Sequence, residues 1–330
     1  MKQVTTIGEI LVEIMADTTG HGFPGPISLT GPFPSGAPAI FAAQAARLGQ
    51  PVALISCVGD DDFGRLNLSR LAADGVDTAA IAVHSDLPTG TAFVRYRPDG
   101  MRDFVFNIRH SAAGATTLDA AARAVLGRTD HLHIMGTALF SPGLLQANLT
   151  ALDQIKVQGG TVSFDPNLRP ELLSAPGLAE AMAHILSSCD LVLPSGPELT
   201  LLTRAQDPPG AVAELLSRGP KVVVHKHGAG GASLHTATGT LHQPAFAVTE
   251  VDPTGAGDCF GATFVSLWLR GADPSTALRL AAAAGALAVT RRGPMEGAGT
   301  LADIEALAAT RSGSGFDGTT GIGRPVRRHP

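Results

Sequence analysis

The chain predicts an α/β fold: a mainly parallel sheet covered on both faces by helices, with a second, smaller β-sheet beside it. Three observations carry this. From Asp130 to Lys226, apolar runs of strand length alternate with helical stretches, the pattern of a parallel sheet buried on both faces. Thr89 to Asn107 alternates at period two around Arg97-Pro-Asp-Gly100, a hairpin signal too short to form a domain by itself. Val251 to Arg270 passes from a Gly-rich turn into an apolar helix. A chain of 330 residues that is 44% hydrophobic has material for one large core or two modest ones.

Composition excludes several classes. A net charge of −5 without a basic stripe argues against a nucleic-acid partner, and aromatics at 5% leave little for stacking bases. Cys57, Cys189 and Cys259 are too few and too scattered for a disulfide framework or a zinc cluster, and Cys259 reads as a small core residue. The N-terminus enters a strand at once, and the longest apolar run, Leu278 to Val289, is too short to span a bilayer. A soluble cytoplasmic protein without a membrane partner is expected, and the sequons at Asn67 and Asn148 then carry no meaning. Residues 311–330 are Gly-, Arg- and Pro-rich, which reads as a disordered tail.

In chain order, Val4 to Met15 is a strand pair broken at Gly8, with Glu13 near its end. Gly20 to Pro38 is rich in turn residues and holds a short strand, Ile27 to Thr30, which joins Thr89–Asn107 in the small sheet. Ser35-Gly36-Ala-Pro38 opens a helix to Gly49, with Ala39, Ala42, Ala43 and Ala46 allowing close packing. Pro51 to Val58 is a buried strand. Asp60, Asp61 and Asp62 precede a helix over Arg65–Ala73 and read as capping and dipole partners before a metal site.

Beyond Asp130 come strand His131–Gly136, a helix from Pro142 to Gln158 and strand Thr161–Asp165. A helix near Leu178–Leu186, strand Leu191–Leu193, helices to Arg218 and strand Lys221–Lys226 follow. Ser163-Phe-Asp-Pro-Asn-Leu-Arg169 closes a strand at its C-terminal end, where open α/β sheets place ligands. His131/His133 and His225/His227 each share a strand face, but no Cys or carboxylate completes a metal set, so they read as strand-end polar residues.

The chemistry concentrates in Asp252-Pro-Thr-Gly-Ala-Gly-Asp258. Gly255 and Gly257 open backbone conformations that let successive N–H groups face one concavity, and the helix from about Asp258 adds its unpaired N–H groups. That is an anion hole. Asp258 at its mouth would repel a resting anion, so it reads as a base for an incoming hydroxyl; an ordinary Gly-rich turn with Asp258 as N-cap is the alternative. A dinucleotide fingerprint fails because Phe260 stands where a third glycine belongs. A Walker A loop fails because Ala37-Pro38 follows the spaced Gly31 and Gly36.

The same heptapeptide resembles the C-terminal signature of the ribokinase-like (PfkB) carbohydrate kinases, and the resemblance extends over roughly residues 3–309. It implies a three-layer α/β/α sandwich with a small β lid, as one domain over 1–309, with the lid from about 15–34 and 88–110. It implies that the backbone of Gly255, Ala256 and Gly257 stabilises the transferring phosphoryl group and that Asp258 is the base. Ser35-Gly36…Ile40, followed by Arg47-Leu-Gly49, is similar to the family's N-terminal signature, with Ser35 in place of the first Gly and Ile40 in place of a substrate-binding Asn. Asp165-Pro-Asn167-Leu-Arg169 is similar to Asp-x-Asn-x-Arg, which puts Asn167 at the substrate and Arg169 near the phosphate. Glu13 matches an acidic sugar ligand, and Arg109 a substrate arginine of 2-keto-sugar kinases.

The cofactors implied are ATP, Mg2+ and a monovalent cation such as K+. Lys226, Gly228, Gly231 and Thr254, with Gly255 and Gly257, match nucleotide-binding positions. Ser195-Gly-Pro-Glu198 is similar to Asn-x-x-Glu, with Ser195 replacing Asn, so Glu198 would order magnesium indirectly. Asp252 matches a monovalent-cation ligand. Two lids of the family clasp each other, so a homodimer is expected.

The function expected is transfer of the γ-phosphoryl group of ATP to a ketose hydroxyl. The strings around Ile40, Arg109 and Gly293-Pro-Met-Glu-Gly297 are similar to tagatose kinases, which favours D-tagatose; 2-keto-3-deoxygluconate and fructose are the alternatives. A nucleoside kinase would want more aromatic lid residues than Phe93, Tyr96, Phe104 and Phe106. A sugar sensor without chemistry sits poorly with an intact Gly-Ala-Gly-Asp.

Overall fold

The computed structural model describes residues 1–99, 101–167 and 177–310. Its large sheet has nine strands. Parallel strands β1 (Val4–Ile7), β4 (Val52–Gly59), β5 (Ile81–His84), β8 (His131–Met135), β9 (Thr161–Asp165), β10 (Leu191–Val192) and β11 (Val222–Lys226) form its body. Antiparallel β12 (Ala232–Thr236) and β13 (Gly239–Gln243) extend one edge. The order is β13-β12-β11-β10-β9-β8-β1-β4-β5. The chain runs outward from β1 to β4 and β5, then restarts at β8 on the other side of β1. That reversal is where α/β sheets leave a crevice beyond the strand C-termini.

Two apolar layers sandwich the sheet. One is built from α1 (Ala37–Arg47), α2 (Asp62–Asp74), α8 (Ala256–Leu269), α9 (Pro274–Ala288) and α10 (Leu301–Ala309). The other comes from α3 (Ala120–Leu126), α4 (Pro142–Val157), α5 (Leu178–Ser188), α6 (Glu198–Leu201) and α7 (Pro208–Arg218). Every residue of β4 and β8 is buried, as strands covered on both faces require. Alanines on α1 and on α9 (Ala281–Ala284) are buried, and these small residues let α1, α8 and α9 pack closely. Asp61 accepts from Gly64 N at 2.8 Å as the N-cap of α2, while Asp60 and Asp62 pair with Arg65. The acidic triplet is therefore a capping and pairing device. Among the described residues, no helix is long and apolar enough to cross a membrane.

The small sheet has four strands in the order β3-β2-β6-β7, from β2 (Leu11–Ala16), β3 (Leu29–Ser35), β6 (Gly90–Tyr96) and β7 (Arg102–Asn107). It differs from the sequence expectation in two ways. Its strand β3 runs to Ser35 rather than ending at Thr30, and β2 belongs to it, upstream of the expected start near residue 15. β2 is buried along almost its whole length, so its sequence looks like a core strand. The tail at 311–330 lies outside the described residues.

His131 opens β8 and His133 lies within it, and neither is a polar residue left at a strand end in solvent. Both are fully buried between the sheet and the α1/α8 layer. Ser163 Oγ bridges them, at 2.8 Å from His131 Nε2 and 2.7 Å from His133 Nδ1. Phe41 stacks on His133 at 3.8 Å, and Trp268 packs edge-on against His131. Burial drives the His131 pKa down to about 3 and holds His133 well below the ordinary 6.5. Between those values only the unfolded chain binds the protons. The pair's contribution to stability is thus complete above about pH 6.5 and is lost as pH falls towards 3, at up to ~1.4 kcal/mol per pH unit for each ring. Urea unfolding at pH 7.5, 6.5 and 5.5 should show a falling free energy below 6.5; a flat profile down to 5.5 would contradict the assignment.

Candidate active site

The α8 N-terminus stands by the C-terminal ends of β9 and β11, where a Cβ on Gly257 would lie 3.6 Å from Lys226 Nζ and one on Gly261 3.8 Å from Asp165 Oδ2. Gly255 is its N-cap, with φ of 81°. A Cβ there would lie 2.3 Å from Pro294 O and 3.3 Å from Ile40 Cγ2. Only glycine fits both the backbone conformation and the space. Gly257 is different: its φ is not positive, and a Cβ would meet only Lys226 Nζ, at 3.6 Å. The sequence expectation gave both glycines one conformational role; the structure gives it to Gly255. The first N–H groups of α8 have no acceptor within the helix, and Ala256 N makes only a long contact, 3.5 Å, to Pro253 O. Asp258 is in the first turn, 9% exposed.

Beneath this turn lies an ion pair. Lys226, closing β11, sets its Nζ 2.5 Å from Asp165 Oδ2, closing β9, with side chains only 10% and 3% exposed. The pair underlies the first turns of α8, since a Cβ on Gly261 would lie 3.8 Å from the same carboxylate oxygen. Burial pushes the Asp165 carboxyl up, against the opposing pull of Lys226 and the Asn167 N–H. Lys226 Nζ thus lies beside the α8 entry, 3.6 Å from where a Cβ on Gly257 would be. Asn167, also named from the sequence, has φ of 37°, the single non-glycine positive φ among the described residues, a conformation Asn tolerates better than most. Arg169 lies outside the described residues.

The loop after β10 joins Lys226 through its backbone, with Lys226 N bonded to Pro194 O and Gly196 N to Lys226 O, both at 2.9 Å. Glu198, at the start of α6, accepts from Ser195 N at 2.7 Å, which fixes its carboxylate next to this loop. Gly228 and Gly231 shape the turn after β11, with φ of 57° and 90°.

Asp252 is 1% exposed and joins three segments. It accepts from Thr254 N at 3.0 Å, from Gly293 N at 2.9 Å and from the Tyr96 hydroxyl of β6. Opposite, the lid presents Glu13. Cross-strand register puts Glu13, Ala92, Tyr96 and Arg102 on one lid face, and Tyr96 shows that this face is turned to the α8 entry. Glu13 Oε1 accepts from Ser35 Oγ at 2.7 Å. The departure of Ser35 from the expected glycine thus supplies a hydroxyl that orients Glu13. Gly36, the α1 N-cap, has φ of 111°, and a Cβ would meet Glu9 O at 2.4 Å. Ile40 is 2% exposed and forms the wall against Gly255. Arg109 is exposed two residues past β7, and among the described residues no hydrogen bond or ion pair ties its guanidinium to the α8 entry.

A family model for pfkB family carbohydrate kinases matches residues 1–300. The chain belongs to the PfkB family of carbohydrate kinases. A putative ribokinase II from E. coli, solved with ATP and Mg2+, superposes with a TM-score of 0.90 at 46% identity, over 94% of this chain and 100% of that one. The 2-dehydro-3-deoxygluconokinase of Thermoproteus tenax is 33% identical over 317 residues, 93% of this chain and 94% of the relative. A fructokinase double mutant from Vibrio cholerae, solved with fructose, ADP and potassium ion, is 29% identical with a TM-score of 0.78, covering 93% of this chain and 98% of its own.

This PfkB kinase therefore carries its family signature at a helix entry where glycine is sterically required. Sequence reading missed the Lys226–Asp165 pair and the Tyr96–Asp252 bond. The available signal was position: Asp165 and Lys226 both end parallel strands, and such ends converge on one edge. The Gly255 geometry makes a sharp prediction. Gly255→Ala forces a positive φ and a 2.3 Å approach to Pro294 O, so it should melt several degrees below wild type and lose turnover. Gly257→Ala, with only an ordinary contact to Lys226, should melt within about 2 °C of wild type. Thermal melts in the reverse order would contradict the placement.

Proposed function

We propose that the protein transfers the γ-phosphoryl group of ATP to a hydroxyl of a ketose, with D-tagatose first among the candidates. The observation that carries the reading is the α8 entry: a glycine turn at the start of an apolar helix, Asp258 in the first turn, and a lid face bearing Glu13 that is tied to this turn through Tyr96. In-line phosphoryl transfer needs positioning and stabilisation of charge on the transferring group. The N–H groups of Gly255, Ala256 and Gly257 serve that charge, and the buried Lys226 ammonium adds to the field. Asp258 takes the proton of the attacking hydroxyl. Arg169, by its place in the sequence motif, assists at the phosphate.

The residues present fit the cofactors of the family. The turn at Gly228–Gly231 and Thr254 offer backbone and hydroxyl groups to a nucleotide, and Glu198, fixed by Ser195 N, suits a water-mediated magnesium site. Asp252 is a buried carboxylate with three protein donors and lone pairs to spare for a monovalent cation. Bound magnesium supplies neutralisation of the phosphate charge.

Substrate choice rests on Ile40. Its buried side chain gives a sugar hydroxyl no partner, and an unpaired buried hydroxyl loses about 1–3 kcal/mol. The preferred ketose therefore directs its hydroxyls to Glu13 and away from Ile40. The similarity of the surrounding strings to tagatose kinases supports D-tagatose. A second reading, 2-keto-3-deoxygluconate, is supported by the Thermoproteus tenax relative and by Arg109, exposed and open to a carboxylate.

ADP release measured with D-tagatose, D-fructose, 2-keto-3-deoxygluconate and a nucleoside panel tests the reading. D-Tagatose should give the highest kcat/KM; a tenfold preference for the acid that disappears in Arg109→Ala would establish the second reading. Asp258→Asn should lower kcat by roughly 10²–10⁴-fold with little change in KM. A variant keeping a tenth of wild-type kcat would remove Asp258 from its role.

A further inference from the structure

The lid sheet is bonded to the α8 entry as well as laid over it. Tyr96, the last residue of β6, donates its hydroxyl to Asp252 Oδ1 and lies 3.3 Å from Thr254 Oγ1. Arg102, its partner across the β6–β7 ladder, donates to the same Thr254 Oγ1 at 3.2 Å. At the same end of the lid, on the neighbouring strand β2, Arg292 donates to Met15 O, Ala16 O and Asp17. The Phe33 ring of β3 stands 2.8 Å from where a Cβ on Gly293 would be. Both loops that wall the α8 entry, 252–255 and 291–294, are thus held by lid strands.

Asp252 is the joint common to these contacts. Its Oδ1 takes Thr254 N as well as Tyr96, and its Oδ2 takes Gly293 N. Gly293 in turn precedes Pro294, whose carbonyl abuts Gly255. A shift of the lid at Tyr96 therefore acts on the carboxylate that sets both sides of the Gly255 turn. Burial, and then the hydrogen bond to Asp252, push the Tyr96 phenol up, so it stays a donor. A hydroxyl bonded to a buried carboxylate is among the stronger neutral–ionic hydrogen bonds.

We infer that Tyr96 is a positioning residue: through Asp252 its hydroxyl couples seating of the lid to the conformation of the 252–258 turn. The turn is set for transfer when the lid, and with it Glu13 on the same face, is seated. The inference rests on the kinase reading of this site. It assigns to Tyr96 a second consequence, exclusion of water, because an unseated lid opens the transferring phosphoryl group to hydrolysis.

Tyr96→Phe removes one oxygen and keeps the ring. Its expected effect is a ten- to hundred-fold loss in sugar kcat/KM, with more ADP formed than sugar phosphate. A purely structural tyrosine would leave that product ratio at one. Hydrogen–deuterium exchange of the sugar-free protein gives a readout independent of any substrate: amides of 254–258 and 293 should exchange faster in Tyr96→Phe than in wild type. Arg102→Met, which loosens the second lid contact to Thr254 without touching Asp252, should give the same pattern and serves if Tyr96→Phe does not fold. Unchanged exchange over 254–258, or an unchanged ADP to sugar phosphate ratio, would overturn the coupling. A wild-type protein inactive on every sugar would instead defeat the kinase reading, with the exchange experiment still able to report on the bond itself.

Discussion

The constraint on which the site depends is the crowded entry of α8. Gly255 must hold a positive φ between Pro294 O and the Ile40 side chain. That single requirement fixes three elements against one another: α1 through Ile40, the loop after α9 through Pro294, and α8 itself. Asp252 reinforces the arrangement by accepting from both loops and from the lid. A turn packed this tightly presents its N–H groups in one orientation before any ligand arrives, which is what preorganised electrostatic stabilisation requires.

The second ingredient is buried charge. Lys226 and Asp165 are almost wholly removed from water, and a buried ion pair is weak evidence of stability because desolvation offsets the attraction. Its location gives it another use. The ammonium lies below the first turn of α8, where it adds positive potential next to the helix N-terminus. The partner carboxylate, also bonded to Asn167 N–H, holds the ammonium in place. The fold thus retains an expensive pair under the α8 entry, the edge at which we propose the phosphoryl group is received.

Much of this was legible in the sequence. The parallel strands announce themselves because they are short, largely apolar runs that alternate with helical stretches, and the α8 entry because glycine spacing next to an apolar helix is distinctive. β2 was legible as a strand but not as part of the lid. Its side chains are buried on both faces, so nothing in Leu11–Ala16 distinguishes the small sheet from the large one. The pairs Lys226–Asp165 and Tyr96–Asp252 join residues 61 and 156 positions apart, and no local pattern encodes a partner at that range. His131 and His133 look like strand-end polar residues because their satisfying group, Ser163, sits on the neighbouring strand. Arg109 shows the converse: motif position places it at a substrate, while its side chain here is exposed.

The central claim is that the Gly255–Asp258 turn receives the transferring phosphoryl group. Backbone amide shifts on adding ADP, magnesium and aluminium fluoride, a mimic of that group, in the presence of the preferred ketose test it most directly. The account predicts that the largest shifts fall on Gly255, Ala256 and Gly257. Shifts centred on Gly228–Gly231, with the α8 entry unmoved, would contradict it.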